Sequence, residues 1–227
     1  MRAILLSAVV VLAAVTSADA QSTFKTRKDS ISYGIGYDFG TRYKAQEVPV
    51  SVDALMRGFR DAYSGKKSGI SESATERLLQ EFSQEMIAKQ SARMNKQGEE
   101  NRKAGEAFLA ANKKKPGIVT LPDGLQYKII TQGTGPRPAK DTTVVCNYRG
   151  TLIDGKEFDS SYKRGEPATF RLGQVIKGWQ EAIPMMTVGS KWEVYIPSEL
   201  AYGPRAASEL IGPNATLIFE IELIGIK

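Results

Sequence analysis

The uneven distribution of proline is the feature that most limits what this chain can fold into. Nine of its ten prolines lie in residues 116–227, and none lies in residues 71–113. Because proline breaks the interior of a helix, the long proline-free run favours a helix. The chain therefore divides into a turn-rich first segment (residues 21–70), a helical middle segment (residues 71–115), and a last segment built from strands and turns.

The middle segment is predicted to be one long helix. Ser73 and Glu76 fit a capping box at its start, and an apolar face over residues 78–87 follows. Beyond this face the segment becomes polar on all sides, and Gly98 and Gly105 weaken the helix. Since a helix that is polar all round is stable only as a bridge, we expect its front to pack against a partner surface and its middle to be a spacer.

The first segment contains two candidate helices. In the stretch ISYGIGYDF every second residue is apolar or aromatic, which is typical of a strand, but Ile31, Ile35 and Phe39 also suit one helix face. This periodicity leaves both possibilities open. Residues 51–63 are predicted to be a helix, because Ser51 is a suitable N-cap and an apolar stripe with helical spacing follows it.

The first twenty residues have the pattern of a secretory signal peptide. Arg2 provides a positive start, residues 3–15 are almost entirely apolar, and Ala18 and Ala20 precede the expected cleavage site. The alternative is an uncleaved anchor, but the apolar run is too short to span a bilayer comfortably. We therefore expect an exported protein.

The composition excludes several kinds of active site. The chain contains no histidine, which removes Ser-His-Asp and Cys-His mechanisms and most zinc sites. Cys146 is the only cysteine, so no intrachain disulfide can form, and its apolar neighbours VVCNY predict a buried side chain. The net charge of +6 arises from positive residues interspersed with acidic ones, so a nucleic-acid partner is not expected.

The last segment is predicted to be an antiparallel sheet wrapped on one helix, an α+β arrangement. The short helical run lies within GQVIKGWQEAIPMM and ends at Pro184, and Trp179, Ala182 and Ile183 would face the sheet. Apolar and polar residues alternate most clearly in the last of the candidate strands. These strands are residues 124–130, 142–153, 168–172, 190–197 and 215–226.

The last segment also contains a candidate ligand pocket. Its aromatic residues would form a plain core, but Asp159, Arg164 and one tyrosine hydroxyl lie among them, which favours a binding site. Asp154-Gly155 predicts the tip of a hairpin whose return arm carries Phe158 and Asp159. Because these two residues are adjacent, they can line one site only at a bulge or a strand end. Asp159 has only Asp154 and Glu157 nearby, a weak cluster for a metal ion. The aromatic residues are Tyr148, Phe158, Phe170, Trp179, Tyr202 and Phe219.

Four motifs in the last segment together resemble the FKBP-type peptidyl-prolyl cis/trans isomerases. They are NYRGTLIDGKEFDSSYKRGEPATF, GQVIKGWQEAIPMM, ELAYGPRAA and IGPNATLIFEIEL, and the resemblance covers residues 117–227. The stretches ISYGIGYDFGTRYK and VDALMRGFRDAYSGKK, with the long helix, resemble the dimerisation region of the Mip and FkpA type of exported bacterial isomerase. This second resemblance implies a helix over residues 31–45.

The resemblance implies an FKBP-like α+β fold, preceded by an all-α dimerisation region and a long connecting helix. The implied domains are a signal peptide over residues 1–20, the N-terminal dimerisation region over residues 21–70, the connecting helix over residues 71–115, and the isomerase domain over residues 116–227.

The resemblance also implies the roles of individual residues. Trp179 would be the floor of a prolyl pocket, the backbone N–H of Ile176 and the Tyr202 hydroxyl would bind substrate carbonyls, and Leu210 and Ile211 would lie on an overhanging loop. The implied catalytic residues are Asp159, Tyr202, Tyr148 and Phe158. The implied substrate-binding residues are Arg164, Phe170, Val175, Ile176, Trp179, Leu210, Ile211 and Phe219.

The resemblance implies an isomerase that needs no metal and no cofactor. It would assist the folding of exported proteins in the periplasm or on the outer surface of a Gram-negative bacterium. The implied partners are proline-containing unfolded or surface proteins, macrolide inhibitors of the rapamycin type, and a second copy bound through the N-terminal region. The alternative is a periplasmic chaperone or surface binding protein in which isomerase activity is secondary.

Overall fold

The structure, a computed structural model, describes residues 24–227. The signal peptide expected over residues 1–20 lies outside the described residues. The chain divides into two compact units, one ending at Leu78 and the other comprising Leu79–Lys227. None of the helices between residues 24 and 227 has both the length and the apolar character that crossing a membrane requires.

The first unit is helical. Helix α1 spans Arg27–Ala45 and helix α2 spans Val52–Tyr63, so the ambiguous stretch at residues 31–39 is helix and not strand. Thr26 caps α1 by accepting a hydrogen bond from the Asp29 N–H, at 3.1 Å. Ser51 caps α2 in the predicted way by accepting from the Ala54 N–H, at 3.4 Å. Neither helix has a buried residue.

Helix α3 spans Glu72–Asn112 and continues through both of its glycines. Its N-cap is Ser71, whose Oγ accepts a hydrogen bond from the Ala74 N–H at 3.3 Å. The capping box predicted at Ser73 is therefore wrong, because the cap is Ser71 and Ser73 already lies within the helix. Ion pairs support the exposed face of α3, where Arg102 binds Glu99 at 2.7 Å and Glu106 at 2.6 Å.

The last turns of α3 belong to the second unit and pack on the rest of it. Gly98, Gly105 and Asn112 are buried and lie seven residues apart, so they occupy one face of the helix. Asn112 Nδ2 donates to Gln126 Oε1 at 3.0 Å, and Gln126 Nε2 donates to the Leu109 carbonyl at 2.9 Å. The expectation that the middle of this helix is only a spacer is therefore wrong from Gly98 onwards.

The second unit contains an antiparallel sheet of seven strands. They are β1 Ile118–Thr120, β2 Gln126–Thr131, β3 Thr143–Leu152, β4 Glu157–Ser160, β5 Ala168–Arg171, β6 Lys191–Ile196 and β7 Leu217–Ile226. Their order in the sheet is β1-β2-β6-β7-β3-β4, and β5 pairs with β3. Five of them agree closely with the candidate strands, β4 is the predicted return arm of the hairpin, and β1 was not predicted.

One face of the sheet packs on helix α5, Lys177–Ala182, and this packing confirms the predicted α+β fold. Trp179, Ala182 and Ile183 are buried against the sheet. A short helix, α4 (Ser161–Arg164), follows β4. Cys146 is fully buried, as expected, and burial raises the pKa of its thiol to about 12, so the thiol is not reactive at neutral pH.

Candidate active site

A cavity of about 520 Å³ opens between the sheet, α5 and the loop that follows Tyr202. All of the predicted site residues line this cavity except Arg164 and Leu210. The lining residues are Tyr148, Phe158, Asp159, Phe170, Gln174, Val175, Ile176, Trp179, Tyr202, Ala207, Ser208, Ile211 and Phe219.

The floor of the cavity is a cluster of aromatic rings centred on Trp179. Its indole lies edge-on to the rings of Tyr148, Phe170 and Phe219, with centroids 5.3, 5.2 and 5.2 Å away. Edge-to-face contacts of this kind are the favoured geometry for aromatic pairs. The side chain of Trp179 is only 3% exposed. The floor is therefore a closely packed aromatic surface.

A bulge brings Phe158 and Asp159 into the same cavity. On β3, Gly150 pairs with Asp159 and Thr151 pairs with Glu157, so Phe158 has no partner in the ladder. An unpaired residue of this kind turns the strand locally, and the two adjacent side chains no longer point to opposite faces. The sequence required a bulge or a strand end here, and the structure confirms the bulge.

Gly150 provides the space for the rings opposite this bulge. A Cβ atom on Gly150 would lie 2.6 Å from the Phe158 ring and 2.8 Å from the Phe219 ring, which is closer than real contacts allow. The two rings themselves meet edge-to-face at 5.5 Å. A glycine in the strand is thus required for this side of the cavity to close.

Asp159 is surrounded by hydrogen-bond donors. The Tyr148 hydroxyl donates to Oδ2 at 2.5 Å, while Arg164 Nη1 and the Ser160 N–H donate to Oδ1 at 2.5 and 2.8 Å. Arg164 Nη2 also donates to the Tyr148 hydroxyl at 2.7 Å, which closes a triangle of three side chains. Arg164 thus contributes to the site through its two partners.

This triangle keeps Asp159 ionised. Desolvation alone would raise the pKa of Asp159, but the hydrogen bonds from Tyr148 and Arg164, with the charge of Arg164, outweigh it and lower that pKa. The pKa of Tyr148 is raised, first by desolvation and then by its hydrogen bond to Asp159. Neither group therefore gains or loses a proton near neutral pH.

Local structure positions the guanidinium of Arg164. It is the last residue of α4, and Gly165 ends that helix with a left-handed φ of 80°. The buried Ser161 at the start of α4 accepts a hydrogen bond from the Tyr148 N–H at 2.8 Å, which ties α4 to β3. Arg164 also lies over the Tyr148 ring, 5.3 Å from its centroid.

The opposite wall of the cavity comes from the loop after Tyr202. Ile211 is buried and lines the cavity, whereas Leu210 is 37% exposed and lines a second cavity. The expectation that both residues lie at the site is thus met by Ile211 alone. Three further lining residues were missed by sequence reasoning, Gln174, Ala207 and Ser208. Gln174 precedes two predicted residues and could have been found, but the other two carry no chemical signal.

Comparison with known proteins identifies two matching families. The family described as FKBP-type peptidyl-prolyl cis-trans isomerase matches residues 135–224. The family described as the domain amino terminal to FKBP-type peptidyl-prolyl isomerase matches residues 28–129. Together the two matches extend over nearly all of the described chain.

Similar proteins come from several bacteria. The outer membrane protein MIP of Legionella longbeachae is 51% identical over 214 residues, which cover 94% of this chain and 91% of that protein. The peptidyl-prolyl cis-trans isomerase Mip of Coxiella burnetii is 42% identical, with 93% and 92% covered. The crystal structure of FkpA from Escherichia coli superposes with a TM-score of 0.71 at 38% identity, covering 90% of this chain and 98% of that one.

Proposed function

The chain belongs to the FKBP-type peptidyl-prolyl cis/trans isomerases, and from this membership we propose that the aromatic cavity is where the prolyl bond is isomerised. Isomerases of this family bind proline-containing substrates. The observation that supports this assignment is a preformed apolar cavity whose polar wall is an ionised carboxylate held by Tyr148 and Arg164.

The reaction needs a place where a twisted amide is more stable than in water. Rotation about an Xaa-Pro bond meets a barrier of about 20 kcal/mol because the twisted amide loses its resonance. Resonance puts negative charge on the amide oxygen, so the planar amide is more dipolar than the twisted one. A dry cavity over Trp179, walled by aromatic rings, favours the less dipolar form, and no covalent bond is broken.

The polar groups at the rim are proposed to orient the peptide. The Tyr202 hydroxyl and the backbone N–H of Ile176, just before α5, would bind carbonyls on either side of the proline. The fixed charge of Asp159 would disfavour the planar amide, whose oxygen carries more negative charge. Asp159 therefore acts as a positioning and electrostatic group and not as a proton donor.

The test is the cis-to-trans rate of a short Xaa-Pro peptide with the full chain, measured from about pH 5.5 to 8.5. We expect a clear acceleration whose kcat/KM does not change with pH, since the lowered pKa of Asp159 and the raised pKa of Tyr148 both lie outside this range. If the protein is folded but does not accelerate the cis-to-trans conversion of the peptide, the proposal is contradicted. A tenfold change in kcat/KM per pH unit would show that a group titrating in this range is essential, which contradicts the role proposed for Asp159.

Glu181 provides a control for this pH profile. A hydrogen bond with Asp123 and desolvation raise the pKa of Glu181 to about 7, yet Glu181 is not among the residues that line the cavity. The variant Glu181→Gln removes this titration. A profile that remains flat in both proteins therefore shows that no group titrating between about pH 5.5 and 8.5 takes part in the isomerisation step.

The N-terminal region is proposed to form a homodimer. A run of large exposed apolar residues along α1 and α2 supports this proposal, because such surfaces are typical of protein interfaces. Covering them removes apolar area from water, which contributes about 25 cal/mol per Å². The exposed residues are Ile31, Tyr33, Ile35, Tyr37, Phe39, Leu55, Met56, Phe59 and Tyr63.

Sedimentation equilibrium of the full chain tests the dimer. We expect twice the mass of one chain, and a shift to monomer for Phe59→Glu, which places a charge on a residue that is 62% exposed. Lys67→Glu, an exposed position beyond the end of α2, is the matched control and should leave the mass unchanged. A wild-type chain that sediments as a monomer at micromolar concentration contradicts the dimer.

Export to the periplasm or the outer surface of a Gram-negative bacterium is also proposed. The pattern of residues 1–20 supports it, as does the similarity to a protein called outer membrane protein MIP. Sequencing the N-terminus of the chain isolated from a periplasmic fraction tests this, and a mature start at Gln21 is the expected result.

A further inference from the structure

The loop after Tyr202 forms one wall of the cavity, and hydrogen bonds within the loop close its tip. Ala207, Ser208 and Ile211 line the cavity from this loop, which we call the 203–216 loop. The Ala207 N–H donates to the Ile211 carbonyl at 2.9 Å and closes the tip of the loop. The geometry of this wall therefore depends on how the base of the loop is held.

Asn214 closes the base of the 203–216 loop. Its N–H donates to the Gly203 carbonyl at 2.8 Å, so the two ends of the loop are joined directly beside Tyr202. Asn214 has a left-handed φ of 53°, a conformation that asparagine tolerates better than most residues. The position of Tyr202 at the cavity is thus linked to the conformation of Asn214.

Helix α3 binds this base through two hydrogen bonds. Asn101 Nδ2 donates to the Pro213 carbonyl at 2.8 Å, and Asn214 Nδ2 donates to the Gly98 carbonyl at 3.2 Å. One face of α3 is therefore connected to Tyr202 through Asn214 and Gly203. No residue of α3 lines the cavity itself.

The two glycines of α3 allow this close approach. A Cβ atom on Gly98 would lie 3.1 Å from Asn214 Nδ2, and one on Gly105 would overlap the Thr216 hydroxyl. A glycine inside a helix costs about 1 kcal/mol relative to alanine, so two glycines in a solvated helix need a compensating contact. The contact with residues 213–216 supplies it.

The contact with α3 extends from the base of the loop to Gly212, where a Cβ atom would lie 2.8 Å from Gln97 Nε2 and 3.1 Å from Asn101 Nδ2. Next to this contact, Gln97 and Asn101 line a second cavity, about 330 Å³ in volume, together with Leu210 and Ala215. The 203–216 loop is thus held at Ile211, which is buried in the core, and at its base. Loosening the base would move the part of the wall that lies beside Tyr202.

We propose that Asn101, with the glycine face of α3, positions the substrate-binding wall of the isomerase site. Asn101 and Gly98 hold residues 213 and 214, and these residues hold Gly203 and Tyr202 in the geometry that binds the peptide. The inference rests on the proposed function of the aromatic cavity. It makes the last turns of α3 a working part of the site as well as a connection.

The first test compares Asn101→Ala with Asn95→Ala in the full chain, at a temperature where circular dichroism shows both folded. Asn95 is an exposed asparagine of the same helix, so it is a matched control. We expect Asn101→Ala to raise KM for an Xaa-Pro peptide by about 3- to 10-fold, the effect of one lost hydrogen bond. Because a mobile wall must be ordered on binding, kcat should change much less.

A second readout distinguishes positioning from general stability. The backbone amide resonances of Tyr202 and Ala207 should shift in Asn101→Ala but not in Asn95→Ala. Resonances of Trp192 and Tyr127, which lie outside the cavity lining, should stay in place in both. A merely structural role of Asn101 would lower the unfolding temperature without moving the loop resonances.

The glycine face gives an independent test by rescue. Gly105→Ala should improve the intrinsic helix propensity of α3 and still raise KM, because the new methyl group meets the Thr216 side chain. Removing that hydroxyl in the double variant Gly105→Ala/Thr216→Ala should recover most of the lost affinity. The proposal is overturned if the double variant has the same KM as Gly105→Ala and Asn101→Ala has the KM of the wild type.

The outcomes also separate this proposal from the proposed function. Wild-type KM and unshifted loop resonances in folded Asn101→Ala overturn the role of α3. If Asp159→Ala is impaired at the same time, the cavity remains the isomerase site. If Asp159→Ala is also fully active, the assignment of the cavity fails as well.

Discussion

Replacing Asp159 by alanine is expected to lower kcat/KM for an Xaa-Pro peptide by about 10- to 100-fold in a domain that stays folded. The variant loses a carboxylate bound by Tyr148 and Arg164 at 2.5 Å each. Hydrogen bonds to charged groups are worth about 1.5–3 kcal/mol, and each 1.4 kcal/mol is a factor of ten in rate. The Asp159 side chain is 44% exposed, so the free energy of unfolding should fall by only about 1 kcal/mol or less.

Two further variants make this result specific. Asp159→Asn keeps a hydrogen-bond acceptor of the same size but removes the charge, so its activity measures the electrostatic part of the role. Asp154→Ala is the matched control, because that carboxylate accepts only from the Lys156 N–H at the hairpin tip, at 3.0 Å. Wild-type kcat/KM in a folded Asp159→Ala variant would refute the role assigned to this carboxylate.

The two tryptophans of the chain allow stability and activity to be separated. We expect Trp179→Leu and Trp192→Leu each to lower the free energy of unfolding by about 2–4 kcal/mol, since both side chains are 3% exposed and large-to-small changes leave a cavity. Only Trp179→Leu should also abolish most of the isomerase activity. Trp192 stacks on Tyr127, with ring centroids 4.4 Å apart, and does not line the cavity.

The comparison is made below the unfolding temperature of both variants, using urea unfolding for stability and the peptide assay for activity. A large loss of activity that is restricted to Trp179→Leu assigns the floor of the cavity to substrate binding. Equal losses of activity in the two variants would mean that the tryptophans contribute only through stability, and Trp179 would lose its proposed role.

Most of the sheet could be predicted because its signals are local. Strand β7 alternates buried and less buried side chains through Leu217, Phe219, Ile221 and Leu223, and β3 has a similar alternation. Strand β4 is four residues long and carries Glu157 and Asp159, so only the preceding turn signal Asp154-Gly155 predicted it. Its pairing with β3 depends on the neighbour and not on its own propensity.

Helix α1 shows where periodicity fails. Apolar residues at every second position between Ile31 and Phe39 satisfy a period of two and also place every fourth residue on one helix face. This periodicity alone could not distinguish a strand from a helix. The resemblance to known isomerases implied a helix, and the structure contains one.

The site residues could likewise be predicted only in part. The resemblance identified most of the cavity lining, because its motifs carry aromatic and charged residues in a recognisable order. It did not reveal Ala207 or Ser208, whose side chains have no distinctive chemistry, and it placed Leu210 beside Ile211 although their side chains line different cavities.

The sequence by itself determined the features that depend on neighbouring residues, namely the long proline-free helix and the alternating strands. It also determined that no histidine is available for acid-base chemistry. Only the tertiary structure decided that Phe158 is a bulge, that Gly98 and Gly105 are contact residues, and that Asn101 reaches the base of a loop 112 residues away. The physical reason is that these features arise from close contacts between distant segments, and the free energy of such contacts leaves no periodic pattern in either segment.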